Sequence, residues 1–98
     1  VLSRGQRVVT VLNWQAPARH AAFTVTTRVP PTLTFERSSN GDEEVSVDGG
    51  LNWGRIGQLR LRDSYGWRLA GPEDITHLRW RMSGKQQLGR ITYSAWVR

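Results

Sequence analysis

The eight-residue segment SVDGGLNW carries the most specific arrangement of polar and aromatic residues in the chain. Its spacing, Ser-x-Asp-x-Gly-x-x-Trp, brings together Ser46, Asp48, Gly50 and Trp53. In such a segment the aspartate accepts backbone amides, the glycine takes a conformation that other residues avoid, and the aromatic ring packs under the turn. The segment therefore predicts a structural hairpin turn between a strand that ends near Val47 and one that starts near Trp53.

The same spacing is the Asp box of sialidase-like propellers, with Asn52 in place of the usual Thr. A propeller needs at least about four blades of four strands, whereas the motif occurs once in 98 residues, so it does not indicate sugar cleavage. The alternative is a calcium site built from Asp48 with Asp42, Glu43 and Glu44. Calcium takes about six or more oxygen ligands, and these acids follow no ordered ligand spacing. We expect neither a metal nor a cofactor.

Other titratable residues also lack a catalytic pattern. His77 and His20 lie far apart in the sequence, and no Ser/His/Asp spacing is recognisable. Glu73 and Asp74 could form an acid pair, but they follow Pro72 in the segment AGPEDIT. Proline at the first position and acids in the first turn are typical of the start of a short helical turn. We expect no enzymatic activity.

Basic residues outnumber acidic ones by 14 to 8, which gives a net charge of +6, and the arginines are scattered along the chain. The candidate interaction face consists of Arg60, Arg62, His77, Arg79, Arg81 and Trp96. The RLR and RWR triplets raise a nucleic-acid or polyanion platform as an alternative function. Strand alternation would point Trp80 into the core, away from Arg79 and Arg81, so we do not expect nucleic acid to be the partner.

The chain contains five tryptophans, which raises a carbohydrate-binding module as a third function because exposed indole rings stack on sugars. Trp80 is in phase with the apolar residues of its strand and is predicted in the core. Trp96 is out of phase with its apolar neighbours and is predicted on the outer face of the last strand. Trp14 and Trp67 are expected in or near turns.

The length of 98 residues fits one domain, residues 1–98. The chain has no cysteine, which excludes a disulfide-stapled scaffold, a thiolate metal site and a cysteine nucleophile. No apolar run approaches the ~20 residues that span a bilayer, and no signal peptide is recognised. We expect the isolated domain to be a monomer.

Hydrophobic residues recur with a period of two in the segments AFTVTTRV, HLRWRM and RITYSAWV. This alternation is typical of antiparallel strands with one solvated face. Short strands separated by turns such as SSNGDEE and DSYGW indicate an all-β sandwich or small barrel. Between Gly57 and Pro72 we expect a long connection with one short strand, QLRLR.

Four segments resemble a known family. They are VVTVLNWQAPARHAAFTVTTRVPPTLTF, VSVDGGLNWG and PEDITHLRWRM with GRITYSAWVR, and together they resemble the conserved-repeat domain of unknown function number eleven. Arg28 stands where that family usually has aspartate. The resemblance implies an immunoglobulin-like antiparallel β-sandwich of about seven strands, without catalytic residues, in a bacterial exported protein of the periplasm or cell surface.

These observations favour a non-catalytic structural or interaction module whose partner is an unknown protein or a component of the cell envelope. A basic, polyanion-binding sheet and a carbohydrate-binding module are the alternatives.

Overall fold

A computed structural model describes residues 2–98, which form antiparallel β-sheets without an α-helix in that range. The strands are β1 (Arg7–Gln15), β2 (Phe23–Arg28), β3 (Leu33–Ser38), β4 (Glu44–Ser46), β5 (Arg60–Asp63), β6 (Gly66–Leu69), β7 (His77–Met82) and β8 (Leu88–Val97). One 3₁₀ turn, Pro72–Asp74, precedes β7. The all-β prediction is confirmed, and AGPEDIT forms the expected helical turn.

The strands are arranged in two three-stranded sheets and one hairpin. The first sheet has the order β1-β8-β3, and the second has the order β2-β7-β4. Strands β5 and β6 pair only with each other. β7 and β8 are the central strands and supply half of the buried core residues, while β1, β2, β3 and β4 are sheet edges.

One hydrophobic core receives side chains from both three-stranded sheets. Its buried members are Val29, Leu33, Phe35, Val45, Ile75, Leu78, Trp80, Ile91, Tyr93 and Ala95. The alternation predicted for β2, β7 and β8 is confirmed in the burial of their side chains, except at Ser94, which is buried although its place in the alternation predicts an outward side chain. Trp80 is 0% exposed, and its indole N–H donates to Ser38 Oγ at 3.2 Å. A buried tryptophan with a satisfied N–H adds apolar area without leaving an unpaired donor.

Trp14 lies in β1, one residue before the end of the strand, which agrees with its expected position near a turn. The strand continues past this residue because β8 keeps pairing with it, and the Ala16 amide still donates to the Gln87 carbonyl at 2.7 Å. Trp14 is directly opposite Gly89 and packs over it so closely that a Cβ at Gly89 would collide with the indole. A glycine in a strand is thereby covered by a cross-strand aromatic ring.

The segment between Gly57 and Pro72 contains a β-hairpin, whereas the sequence predicts only one strand there. QLRLR contributes β5, and the expected turn DSYGW contains both the connection and the start of β6. Trp67 therefore lies in a strand. Within residues 2–98 no helix is long and apolar enough to cross a membrane.

Candidate functional site

The β5–β6 hairpin exposes one apolar and basic face. Arg60 is paired with Leu69, and Arg62 is paired with Trp67. Directly opposite residues of an antiparallel pair project to the same side, so these four side chains share one face, which we call the hairpin face. Trp67 is 69% exposed and Leu69 is 58% exposed, and both arginines are also exposed. Tyr65, in the hairpin turn, is 98% exposed.

The opposite side of the hairpin is its anchor. Arg68 donates to Asp63 Oδ2 at 2.8 Å and makes two hydrogen bonds to Asp74, at 2.8 and 2.9 Å, in the 3₁₀ turn. These contacts lower the pKa of Asp74 and raise that of Arg68, with the Arg68–Asp74 hydrogen bonds as the largest cause in each case. The Ala70 amide donates to the Leu59 carbonyl at 2.8 Å, which extends the pairing of β5 with β6 by one residue pair.

No side chain of the hairpin face takes part in this anchor, although the Leu69 carbonyl accepts a hydrogen bond from Arg68 at 3.2 Å. Among residues 2–98, no carboxylate forms an ion pair with Arg60 or Arg62. An exposed tryptophan, tyrosine and leucine beside unpaired arginines match the composition found at the centre of protein interfaces. The hairpin face, together with Tyr65, is therefore the candidate functional site.

The turn motif satisfies its own hydrogen bonds. Asp48 Oδ1 accepts the Asn52 amide at 2.9 Å, the Leu51 amide at 3.2 Å and the Ser46 hydroxyl at 2.8 Å. Asp48 Oδ2 accepts the Asn52 side-chain amide at 2.7 Å. Ser46 is buried, and its Oγ also accepts the Gly50 amide at 2.8 Å. The Asn in place of the usual Thr thus adds a second contact to the same carboxylate.

The aromatic residue of the motif completes the turn. Trp53 Nε1 donates to the Gly50 carbonyl at 2.9 Å, and Gly50 has a φ of 94°, in the region that glycine tolerates. Val45 and Gly54 exchange backbone hydrogen bonds of 2.8 and 3.1 Å, which close the hairpin. The second arm predicted to start near Trp53 is one isolated bridge at Gly54 and not a strand.

The hydrogen bonds also set the charge state of the motif. The Asn52 backbone amide, its side-chain amide and the Ser46 hydroxyl hold the pKa of Asp48 at about 2. Glu44 Oε1 accepts hydrogen bonds from Arg79 Nε and Arg81 Nε, each at 3.0 Å. Among residues 2–98, no group of three or more His, Asp and Glu side chains is arranged to hold a metal ion.

The residues expected on one interaction face are distributed over three sheets. Arg60 and Arg62 lie on the hairpin, and Trp96 lies on the outer side of the β1-β8-β3 sheet. His77, Arg79 and Arg81 lie on β7 in the other sheet. The alternation in the sequence predicts that each of these side chains points away from the core. It does not predict which sheet a strand joins, because that depends on long-range pairing.

On β7 the outward side chains interact with the turn motif. The Trp53 ring makes an edge contact with the His77 ring, with centroids 6.5 Å apart, and Arg79 covers the same indole. Glu44 joins Arg79 to Arg81. This cluster is internally paired, in contrast to the hairpin face.

Three exposed residues of the candidate site, Tyr65, Trp67 and Leu69, were not among the residues selected from the sequence. β6 has no buried side chain to produce an alternation, so periodicity gives no signal there. One local signal for β6 is present in the sequence. The turn segment DSYGW directly follows a basic strand and contains Gly66, which is compatible with a β-hairpin whose second strand starts there.

Comparisons with protein-family models, with curated proteins and with solved structures found no match for this chain.

Proposed function

We propose that this chain is a non-catalytic structural and interaction module with an immunoglobulin-like sandwich architecture. Two three-stranded antiparallel sheets that contribute to one core support the architecture. The resemblance of the sequence segments to the conserved-repeat domain supports a place in a bacterial exported or cell-surface protein. The partner is then another protein or an envelope component.

The observation that carries the interaction role is the difference between the two sides of the β5–β6 hairpin. Its anchor side holds the ion pairs, and its other side holds an exposed tryptophan and leucine that support nothing else in the fold. Exposed aromatic and aliphatic side chains on a fixed scaffold are a feature of contact surfaces. We assign the contact with the partner to the hairpin face and Tyr65.

A basic, polyanion-binding surface is the second candidate. Arg62 and Trp67 face each other across the hairpin, with Arg60 one pair further along. Phosphates could be held by the guanidinium groups while a base stacks on the indole. Leu69 argues for a protein partner instead, because an exposed aliphatic side chain matches neither phosphates nor bases. A carbohydrate module would use Trp67 and Tyr65 without the arginines.

Titrations followed by NMR separate these functions. The probes are an oligothymidylate of about 15 nucleotides, heparin and soluble glucan oligosaccharides, each at about 150 mM salt. We expect weak and diffuse shifts that vanish as salt rises. Submicromolar binding of the oligonucleotide with shifts on Arg60, Arg62 and Trp67 would establish the polyanion function. Saturable sugar binding at Trp67 and Tyr65 would establish the carbohydrate function.

A photo-crosslinker tests the protein-partner function directly. It is placed at Tyr65 in the protein produced in its own host, with Leu51, which is 82% exposed, as the control position. We expect a protein adduct of one defined mass from position 65 and none from position 51. Equal, heterogeneous labelling from both positions would refute the hairpin face as a contact surface.

A further inference from the structure

The free edge of β1 differs from the other edges of the two three-stranded sheets. β3 is interrupted by a bulge between Phe35 and Arg37, and β4 is three residues long with its outer side bridged by Gly54. β2 presents polar side chains outward along six residues and ends at Arg28. Bulges, short strands, coverage and charge are the devices by which proteins prevent edge-to-edge pairing.

β1 has none of these devices over most of its length. It is nine residues long, and the segment VVTVLNW between its terminal residues contains no charge, no proline and no glycine. Its register with β8 runs without a shift from Arg7 to Gln15. Such a strand is the kind of edge to which another strand adds.

The hydrogen bonds identify which backbone groups are available. Gln6 O accepts the Val97 amide and the Ala16 amide donates to Gln87 O, so even-numbered residues of β1 direct their amides and carbonyls to β8. In an antiparallel ladder the alternate residues then direct theirs away from the partner strand. The odd-numbered residues of β1 therefore present an unpaired ladder of amides and carbonyls along the free edge.

Two of the same residues, Val9 and Val11, place apolar side chains on the outer face of the sheet. Val9 is 58% exposed and Val11 is 48% exposed, and Trp96 lies on the neighbouring strand, diagonal to Val9. Backbone donors, backbone acceptors and exposed apolar side chains thus occur together on one strand.

We infer that this edge pairs with the β1 strand of a second copy of the chain, in an antiparallel arrangement about a two-fold axis at Val11. Val11 is the middle residue of the strand, so full overlap places Val9 opposite Asn13 of the second copy and Arg7 opposite Gln15. Complete pairing would form about ten hydrogen bonds, two for each of five residue pairs.

Self-pairing in this register is electrostatically permitted. The only charged residue of β1 would face a neutral glutamine amide, which can accept a hydrogen bond from its guanidinium, and no like charges would be opposite each other. Each copy nevertheless carries a net charge of +6. Salt screens the repulsion between the two copies, so association should strengthen with salt, whereas polyanion binding weakens with it.

The two-fold axis also closes the assembly. The β1 edge of each copy pairs with the β1 edge of the other, so no free β1 edge remains. The two three-stranded sheets then form one continuous six-stranded sheet with a β3 strand at each end. This inference does not depend on the hairpin face, and it departs from the monomer expected from the sequence.

Sedimentation equilibrium from about 10 μM to about 1 mM tests the proposal. The test variant is Val11→Lys, because Val11 is exposed and the substitution adds a charge at the two-fold axis without entering the core. The control variant is Thr26→Lys, which adds the same charge to an exposed position on the edge of β2. We expect a reversible dimer for the wild type and for Thr26→Lys, and an association constant at least tenfold lower for Val11→Lys.

Amide hydrogen exchange locates the interface. Protection of the Val9, Val11 and Asn13 amides should increase with protein concentration, and the dimer should be stronger at about 500 mM than at about 50 mM salt. A monomer at every concentration would overturn the inference. A dimer that Thr26→Lys disrupts and Val11→Lys does not would overturn it as well.

Discussion

The guanidinium carbon of Arg79 lies 4.4 Å from the centroid of the Trp53 ring. Arg79 belongs to β7 and Trp53 to the turn that follows β4, so this contact attaches the turn motif to the central strand of its sheet. Glu44 Oε1 also accepts a hydrogen bond from Nε of this guanidinium at 3.0 Å. A cation held over an indole face is attracted by the ring quadrupole, most strongly where water is partly excluded.

Arg79→Met should weaken this attachment. The substitution retains an unbranched apolar chain over the indole but removes the cation, so we expect a loss of about 0.5–1 kcal/mol in the free energy of unfolding. Arg81→Met is the matched control, since Arg81 bonds the same carboxylate but is largely exposed, and it should change little. Urea denaturation measures both. Equal losses would show that the ion pairs, not the ring contact, hold the turn.

Asp48→Ala should destabilise the fold by about 1–2 kcal/mol, the scale of a lost local cap. The substitution leaves the Asn52 and Leu51 amides without the acceptor that they have in the native turn. Asp42→Ala removes an equal charge from the preceding polar turn and should have a much smaller effect. Added calcium should not change the melting temperature of the wild type, and a clear rise would identify the acids of this region as metal ligands.

The same carboxylate predicts a pH dependence. Its pKa of about 2 in the folded chain lies below its ordinary value of 3.8. Folding therefore favours the ionised form, so the stabilisation is present above about pH 4 and is lost as the pH falls towards 2. The stability difference between wild type and Asp48→Ala should be constant above about pH 5 and shrink in acid. A difference that stays constant down to the folded pKa would mean that ionisation does not matter to the turn.

Trp80→Ala should cost about 3–5 kcal/mol, because it removes a fully buried ring. A loss of this size is comparable to the whole stability of many small domains. If the variant is unfolded, Trp80→Phe, which retains a ring but cannot donate to Ser38 Oγ, gives a measurable intermediate loss. Trp96→Ala is the exposed control and should unfold close to the wild type in thermal denaturation. A small loss at both positions would contradict the strand register.

Local patterns predict much of the secondary structure. β2, β7 and β8 alternate because one face of each packs on the core, and this requires no knowledge of their partners. The Asp48 turn can also be predicted from the local sequence, since its hydrogen bonds connect residues no more than four positions apart. In such segments the residue order contains the physical cause of the conformation.

Features that depend on long-range contacts cannot be predicted from local sequence patterns. The pairing of Trp14 with Gly89 joins strands at opposite ends of the chain, and the residue pattern of β1 alone does not identify that partner. β6 is held by β5 and by Arg68, which reaches the 3₁₀ turn, so its own exposed side chains carry no periodic signal. The candidate site was missed in part for this reason: a contact surface consists of residues that the fold does not use.

The pairing of β1 with β8 has a consequence for synthesis. A ribosome releases the chain from its amino end, so β1 and β3 emerge long before the strand that separates them in their sheet. Until β8 appears, neither has its partner, and the apolar faces of both remain uncovered. The first sheet can therefore assemble only after β8 has emerged, and until then β1 and β3 remain accessible to holding factors.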